Sequence, residues 1–154
     1  MNKLFSFIFS ILLFFLFSCT EEWQYHYENE PQSVNVKMWD TLQTMENYSE
    51  FVKYAQMFKL DTFIKSSNTK TLFIPDNDAF AVFLEGDTAG FVETMRYHIT
   101  PTLFMLRNVK DKYKLQTLEK KYALISNLND EYYFDNIRIG YSSPFFLDGK
   151  YYET

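Results

Sequence analysis

The chain has 154 residues, with 15 basic side chains against 20 acidic and a formal charge of −5 when its two histidines are neutral. That balance repels phosphate backbones and argues against nucleic acid as a partner. One cysteine excludes a disulfide framework, and 47% hydrophobic residues without sustained heptads exclude a disordered or coiled-coil chain. The first element is a leader. Met1–Ser18 carries one charge, Lys3, and an apolar run from Leu4 to Phe17 broken only by Ser6 and Ser10. Its fourteen residues fall short of the ~20 that a helix needs to cross a bilayer. A basic start, an apolar middle and a small residue before a break mark a secretory signal, removed before folding. The mature chain is then expected to run from Cys19, with 136 residues and a charge of −6 once Lys3 leaves, enough for one domain.

Leu16-Phe17-Ser18-Cys19 resembles the bacterial lipoprotein box, a branched apolar residue three before the cysteine and a small one just before it. Phe17 is bulkier than usual at the middle position. The resemblance implies lipidation: Cys19 would carry a diacylglycerol thioether and become the mature N-terminus, usually with a third acyl chain on its amine. Two or three acyl chains, at ~0.8 kcal/mol per buried methylene, hold a protein stably to a membrane. The alternative is an ordinary signal peptide with a chance cysteine at its end. Thr20-Glu21-Glu22 is similar to the export tag of cell-surface lipoproteins in Bacteroidetes, or is a plain solvated tether. Between Thr20 and Pro31 stand four Glu and no Lys or Arg, which leaves Gln32–Thr154 at 14 basic to 16 acidic. The acidity therefore sits mainly in a leash that self-repulsion keeps extended. Trp23, Tyr25 and Tyr27 alternate with polar residues there, suited to a headgroup interface or to a short strand on the domain. The organisation expected is a lipoprotein signal over 1–18, the lipidated Cys19 and acidic tether over 19–36, and a folded domain over 37–154. The location expected is the cell envelope, as an outer-membrane lipoprotein displayed at the surface.

Within the domain, Met38, Trp39, Leu42 and Met45 fall at a helical period. Asn47-Tyr48-Ser49-Glu50 reads as a capping box, with Asn47 as N-cap and Glu50 reaching back. Phe51, Tyr54, Ala55 and Phe58 follow as one apolar stripe, and Leu60–Ile64 as a short continuation. Thr71-Leu72-Phe73-Ile74 predicts a buried strand stopped by Pro75. Asp76 predicts an N-cap for a helix over Asn77–Phe83, and Asp87 one for a helix from Thr88 to about Tyr97. Strands are predicted at Lys114–Leu118, at Tyr122–Ser126, and at Tyr132–Phe134 and Ile137–Ile139 around the turn Asp135-Asn136. Phe145–Leu147 and Lys150–Tyr152 flank Asp148-Gly149, the strongest hairpin signal in the chain. Helices first and strands later predict an α+β domain, its helices packed to one side of mainly antiparallel sheet.

Thr71-Leu72-Phe73-Ile74-Pro75-Asp76-Asn77-Asp78-Ala79-Phe80 resembles the first signature of the fasciclin domain, with Asp76 where Thr is commonest. Seventeen residues after Phe80, Tyr97-His98-Ile99 is similar to the family's tyrosine–histidine motif. The resemblance runs from about Met38 to the C-terminus. It implies a fasciclin-like fold, a fold-signature turn at Pro75, Asp76, Asn77, Asp78 and Phe80, and an adhesion role for the region of Tyr97 and His98. One departure stands out. The family closes with a strand reading Asn-Gly-apolar-apolar-His-apolar-apolar-Asp, and Thr154 follows directly on the Asp148-Gly149 hairpin, where that strand would begin. Three readings stay open: a truncated, C-terminally incomplete domain, which is the expectation; a native protein without the strand; or a partner that donates it.

The chemistry-bearing residues are few. No HxxxH, cysteine partner or spaced carboxylates accompany His98, so a core histidine bonded to backbone explains it. Asp76 and Asp78 lack the Gly and distal Glu of a calcium loop, and capping accounts for them. Ser142-Ser143-Pro144 has no nucleophile-elbow context, and four glycines leave no phosphate cradle. No catalytic residue, metal or cofactor is therefore expected, and the chain is not read as an enzyme. Once the signal leaves, 25 of 136 residues are aromatic. Either they fill the core or they form a ligand face, with Tyr132, Tyr133, Tyr151 and Tyr152 expected to expose one of each adjacent pair. The partners expected are the membrane, through lipid, and a protein or glycan outside the cell. Two rivals to adhesion remain: an accessory glycan-binding lipoprotein of a polysaccharide-uptake system, and a carrier of an apolar ligand.

Overall fold

The structure, a computed structural model, describes residues 34–84 and 90–154. The leader, Cys19 and the acidic tether up to residue 33 lie outside them. Gln32–Thr154 forms one compact unit. Its helices come first: α1 (Met38–Leu42), a 3-10 turn (Glu46–Tyr48), α2 (Ser49–Met57) and α3 (Leu60–Ile64). Strand β1 (Lys70–Ile74) is followed by α4 (Asn77–Leu84), α5 (Phe91–Tyr97) and β2 (Ile99–Thr100). After a 3-10 turn at Leu106–Asn108 come β3 (Lys112–Gln116), β4 (Tyr122–Leu128), β5 (Glu131–Phe134), β6 (Ile137–Arg138) and β7 (Gly149–Glu153). The α+β class expected from the sequence is the class observed.

Two sheets result. One is three-stranded in the order β2-β1-β7, the other an antiparallel meander β3-β4-β5-β6. All five residues of β1 are buried, as befits a strand covered on both faces. Alternation then decides the layers. Leu72, Ile74 and Tyr151 join the helical core with Trp39, Phe51, Ile64 and Met95. Phe73 and Tyr152 point the other way, onto Leu115, Ala123, Ile125 and Phe134 of the meander. The short sheet is thus the middle of three layers, between helices and meander.

Several local expectations are corrected. Asn47 lies inside the 3-10 turn and caps nothing; α2 starts at Ser49, and Tyr48 precedes it without a side-chain cap bond. The Glu50 carboxylate pairs with Lys53 at 2.8 Å, while its N–H donates to Asn77 Oδ1 at 3.1 Å. A capping box presumes a partner three residues away, and here the acceptor arrives from the β1–α4 turn. Likewise the Met38 N–H at the start of α1 donates to Asp148 Oδ1, 2.9 Å away and 110 residues distant. Strand β3 lies two residues earlier than predicted, because Leu118 turns away to donate its N–H to the Ile99 carbonyl of β2 at 2.7 Å. Helix α5 begins at Phe91, after Gly90 at φ +84°; Asp87 and Thr88 lie outside the described residues.

The largest correction concerns Asp148-Gly149. Phe145–Leu147 is no strand; Phe146 bridges to Gly149, while the Phe145 carbonyl accepts the Val34 N–H at 2.7 Å and the Leu147 N–H donates to the Val36 carbonyl at 3.1 Å. The Phe146 N–H donates to the Gly149 carbonyl at 2.8 Å, so the tight turn centres on Leu147-Asp148. Gly149 opens β7, and β7 pairs parallel with β1 from Lys70↔Gly149 to Ile74↔Glu153. Its outer side takes N–H bonds from Gly140 and Ser143 at 2.9 and 3.0 Å. The bare edge that a missing neighbour would leave is therefore not found on β7. Tyr151 and Tyr152 are 1% and 2% exposed, against the expectation that one of them faces outward. A strand in the middle layer has no outward face.

Candidate functional site

The two signature segments meet at the C-terminal end of β1. Pro75 has no N–H to continue the ladder and ends the strand. Asp76 Oδ1 then accepts the Ala79 N–H at 2.8 Å, the N-cap bond of α4 expected from the sequence. Asn77 ties this turn to α2: its Nδ2 donates to the Glu46 carbonyl (2.8 Å) and Ser49 Oγ (3.0 Å), and its Oδ1 accepts from Glu50. Asp78 is exposed in the first turn of α4, favourable against the helix dipole. Phe80 is buried, stacked on Tyr54 at 5.5 Å and edge-on to Phe91 at 5.6 Å.

Tyr97 and His98 leave α5 toward the sheets. The Tyr97 hydroxyl donates to Asp135 Oδ2 at 2.9 Å, with the Tyr122 carbonyl at 3.1 Å, and Asp135 Oδ1 accepts the Leu124 N–H at 2.9 Å. Burial, then the bond to Asp135, push the Tyr97 pKa up to about 12. Tyr97 thereby clamps α5 to the β5–β6 turn. The His98 Nδ1–H donates to the Phe73 carbonyl at 3.0 Å, and the ring packs 5.0 Å from Phe134. A carbonyl can only accept, so Nδ1 carries the proton and Nε2 an open lone pair. Desolvation pulls the His98 pKa below its ordinary value, opposed by the Phe73 carbonyl and Asp135. The pair thus braces the middle layer against the meander.

The depressed His98 pKa has a consequence for stability. Above the unfolded value of about 6.5 the ring is neutral in both states. As pH falls through that value the unfolded chain takes up a proton that the folded one resists, so stability falls. The urea midpoint is expected to drop between pH 7 and pH 5, and His98→Asn to flatten that slope. An unchanged slope in the variant would remove His98 as its origin.

Between the signature turn and α5 lies an apolar cavity of about 190 Å³. Its wall includes Phe51 of α2, Ala79 and Phe80 of α4, Met95 and His98 around α5, and Ile137 of β6. Sequence reasoning did not find it, because its wall is drawn from four separate elements. Its local signals were Phe51, on the predicted apolar stripe, and Pro75, Phe80 and His98, in the two signature motifs. Elsewhere, Tyr133 donates to Glu131 Oε2 at 3.0 Å on the outer face, whereas Tyr132 packs against the second core. No group of three or more His, Cys, Asp or Glu among the described residues could hold a metal ion. No helix among them is long and apolar enough to cross a membrane.

The comparisons agree with this architecture. The Fasciclin domain profile matches residues 46–143, over half of the chain. Among solved structures the fold is similar to the FAS1 domain pair of the insect cell adhesion molecule fasciclin I, with a TM-score of 0.59 at 10% identity. That match covers 77% of this chain and 49% of the other, so the chain spans about half of its length. An identity that low speaks for the fold alone. No curated protein sequence matches the chain. A strand–Pro–capped-helix signature, a tyrosine–histidine pair at the foot of α5 and a profile match across both place the chain in the fasciclin domain family.

Proposed function

We propose that the chain is a lipid-anchored protein of the bacterial cell envelope, displayed at the cell surface, whose fasciclin domain serves adhesion or protein–protein interaction without catalysis. The domain's family is associated with adhesion, and the similar insect structure belongs to a cell adhesion molecule. The anchor rests on one observation: a fourteen-residue apolar run that ends in Leu16-Phe17-Ser18-Cys19 and is followed by an acidic, cation-free stretch to Pro31. Lipid at Cys19 supplies membrane retention, the tether supplies reach, and the domain surface supplies recognition. Cys19→Ala is expected to move the protein from the membrane fraction to the soluble fraction, read by blotting after cell fractionation. A variant still in the membrane fraction would end the anchor reading. Protease shaving of intact cells tests surface display separately.

A second reading, a carrier of an apolar ligand, is favoured by the cavity beside His98. The glycan-binding reading has less support in the described residues, since Tyr151 and Tyr152, two of the four tyrosines considered for it, are buried.

A further inference from the structure

We propose that the cavity between α2, α4, α5 and Ile137 binds a small, neutral, monocyclic molecule bearing one hydroxyl, of the phenol or cresol class. The inference deepens the carrier reading by naming the ligand chemistry, and the anchor does not depend on it.

Size comes first. An apolar cavity of about 150 Å³ holds benzene. One of about 190 Å³ therefore takes a six-membered ring with one or two further heavy atoms, and no extended chain. The walls are right for a ring. Phe51, Phe80 and Phe91 offer aromatic edges and faces, and Met95 a polarizable thioether. Among the described residues no charged side chain lines the cavity, so a carboxylate or an ammonium would find no counter-charge from them.

Three polar side chains break the apolar wall: Thr94, whose hydroxyl donates to the Gly90 carbonyl at 3.2 Å, and His98 and Thr154. His98 gives its only N–H to the Phe73 carbonyl, which leaves Nε2 as the single polar group the ring can present, unbonded among the described residues. The Thr154 side chain also lines the cavity, and its Oγ1 is buried with no hydrogen bond. For the buried Thr154 Oγ1, staying unsatisfied costs about 1–3 kcal/mol. A ligand hydroxyl answers both atoms, donating to Nε2 and accepting from Oγ1–H. A water molecule would serve the polar atoms alone and leave the aromatic part of the cavity empty. Mostly apolar walls with a few convergent polar groups are the usual composition of a small-molecule site.

The test is an amide NMR titration of the soluble, purified Cys19→Ala chain with three probes: p-cresol, toluene and 4-methylbenzoate. p-Cresol is expected to shift the resonances of Ala79, Thr94 and Ile137 saturably. Toluene, nearly the same shape without the hydroxyl, is expected to bind roughly tenfold more weakly, and 4-methylbenzoate not at all. His98→Phe should bring p-cresol down to the level of toluene while toluene still binds. Ala79→Trp, a change at an exposed position of the wall, should abolish both and provides a blocked control if His98→Phe does not fold. Equal binding of p-cresol and toluene would overturn the hydroxyl inference and leave the carrier reading standing. No shift with either probe up to its solubility would overturn both.

Discussion

Asp148→Ala is expected to lower unfolding stability by about 3–5 kcal/mol, the usual cost of removing one partner from a buried charge pair. Asp148 and Lys70 are 2% and 0% exposed, and Lys70 Nζ lies 3.8 Å from Asp148 Oδ2. That distance is too long for a hydrogen bond, and Oδ2 has none. The ammonium instead donates to the carbonyls of Ile64 and Ser66, at 3.0 and 2.8 Å, and closes the end of α3. Asp148 contributes its charge to Lys70 and its Oδ1 to the first N–H of α1. Alanine removes both and leaves a buried cation with no counter-charge and with Lys37 as a like charge nearby. Urea unfolding checks the magnitude. Lys70→Met combined with Asp148→Ala should cost less than the two single changes added together, by about 1–3 kcal/mol, because they share one interaction. A second readout comes from pH. Burial pulls the Lys70 pKa down, and Asp148 opposes that pull. The folded value then lies below the unfolded one of about 10.4, so stability rises as pH climbs toward it. Without Asp148 the depression deepens and the rise should become steeper. A variant within 1 kcal/mol of the parent, with an unchanged pH slope, would show that the pair holds nothing.

Features decided within a few residues were legible in the sequence. Pro75 had to end β1, Asp76 could cap only the helix that follows it, and Asp135-Asn136 turns the meander where the pattern breaks. The fasciclin signature is a string of such local features, which is why the family resemblance was visible. What failed was decided at a distance. The caps of α1 and α2 come from Asp148 and Asn77, 110 and 27 residues away, and no window along the chain contains both ends of such a bond. Asp148-Gly149 looked like a hairpin because the dipeptide suits a primed turn. The burial of Tyr151 in one core and Tyr152 in the other places the following strand in the middle layer, where β1 is its neighbour. The candidate site divides in the same way. Its signature residues were named from sequence, while the cavity they frame needs Phe51, Ile137 and Thr154 from elsewhere in the chain.

Gly149→Ala is the harsher test of that parallel pairing. Gly149 sits at φ +145°, a conformation that L side chains rarely adopt, and it lies opposite Lys70 at the first step of the β1–β7 ladder. A Cβ there would stand 1.9 Å from the Lys70 carbonyl oxygen and 2.9 Å from its carbon. Both are backbone atoms of the central buried strand, so no side chain can rotate to relieve the clash. Either β7 lifts away from β1 or β1 shifts, and each course disturbs Tyr151 and Tyr152 in both cores. The cost is expected to reach about 4–5 kcal/mol or more, at the far end of what single substitutions do. For a domain whose whole stability is on the order of 5–15 kcal/mol, that leaves the chain unfolded or close to it at room temperature. Gly140→Ala is the matched control. Its added Cβ meets only the end of the flexible Glu153 side chain, at 3.4 Å, and its backbone needs no positive φ. That variant should melt within a few degrees of the parent, whereas Gly149→Ala should show no cooperative thermal transition by far-ultraviolet circular dichroism. A Gly149→Ala chain that melts like the parent would mean that β7 does not pair with β1 in this register. The Asp148–Lys70 contact would then lose its geometric basis as well, since both residues are held at the same end of the same ladder.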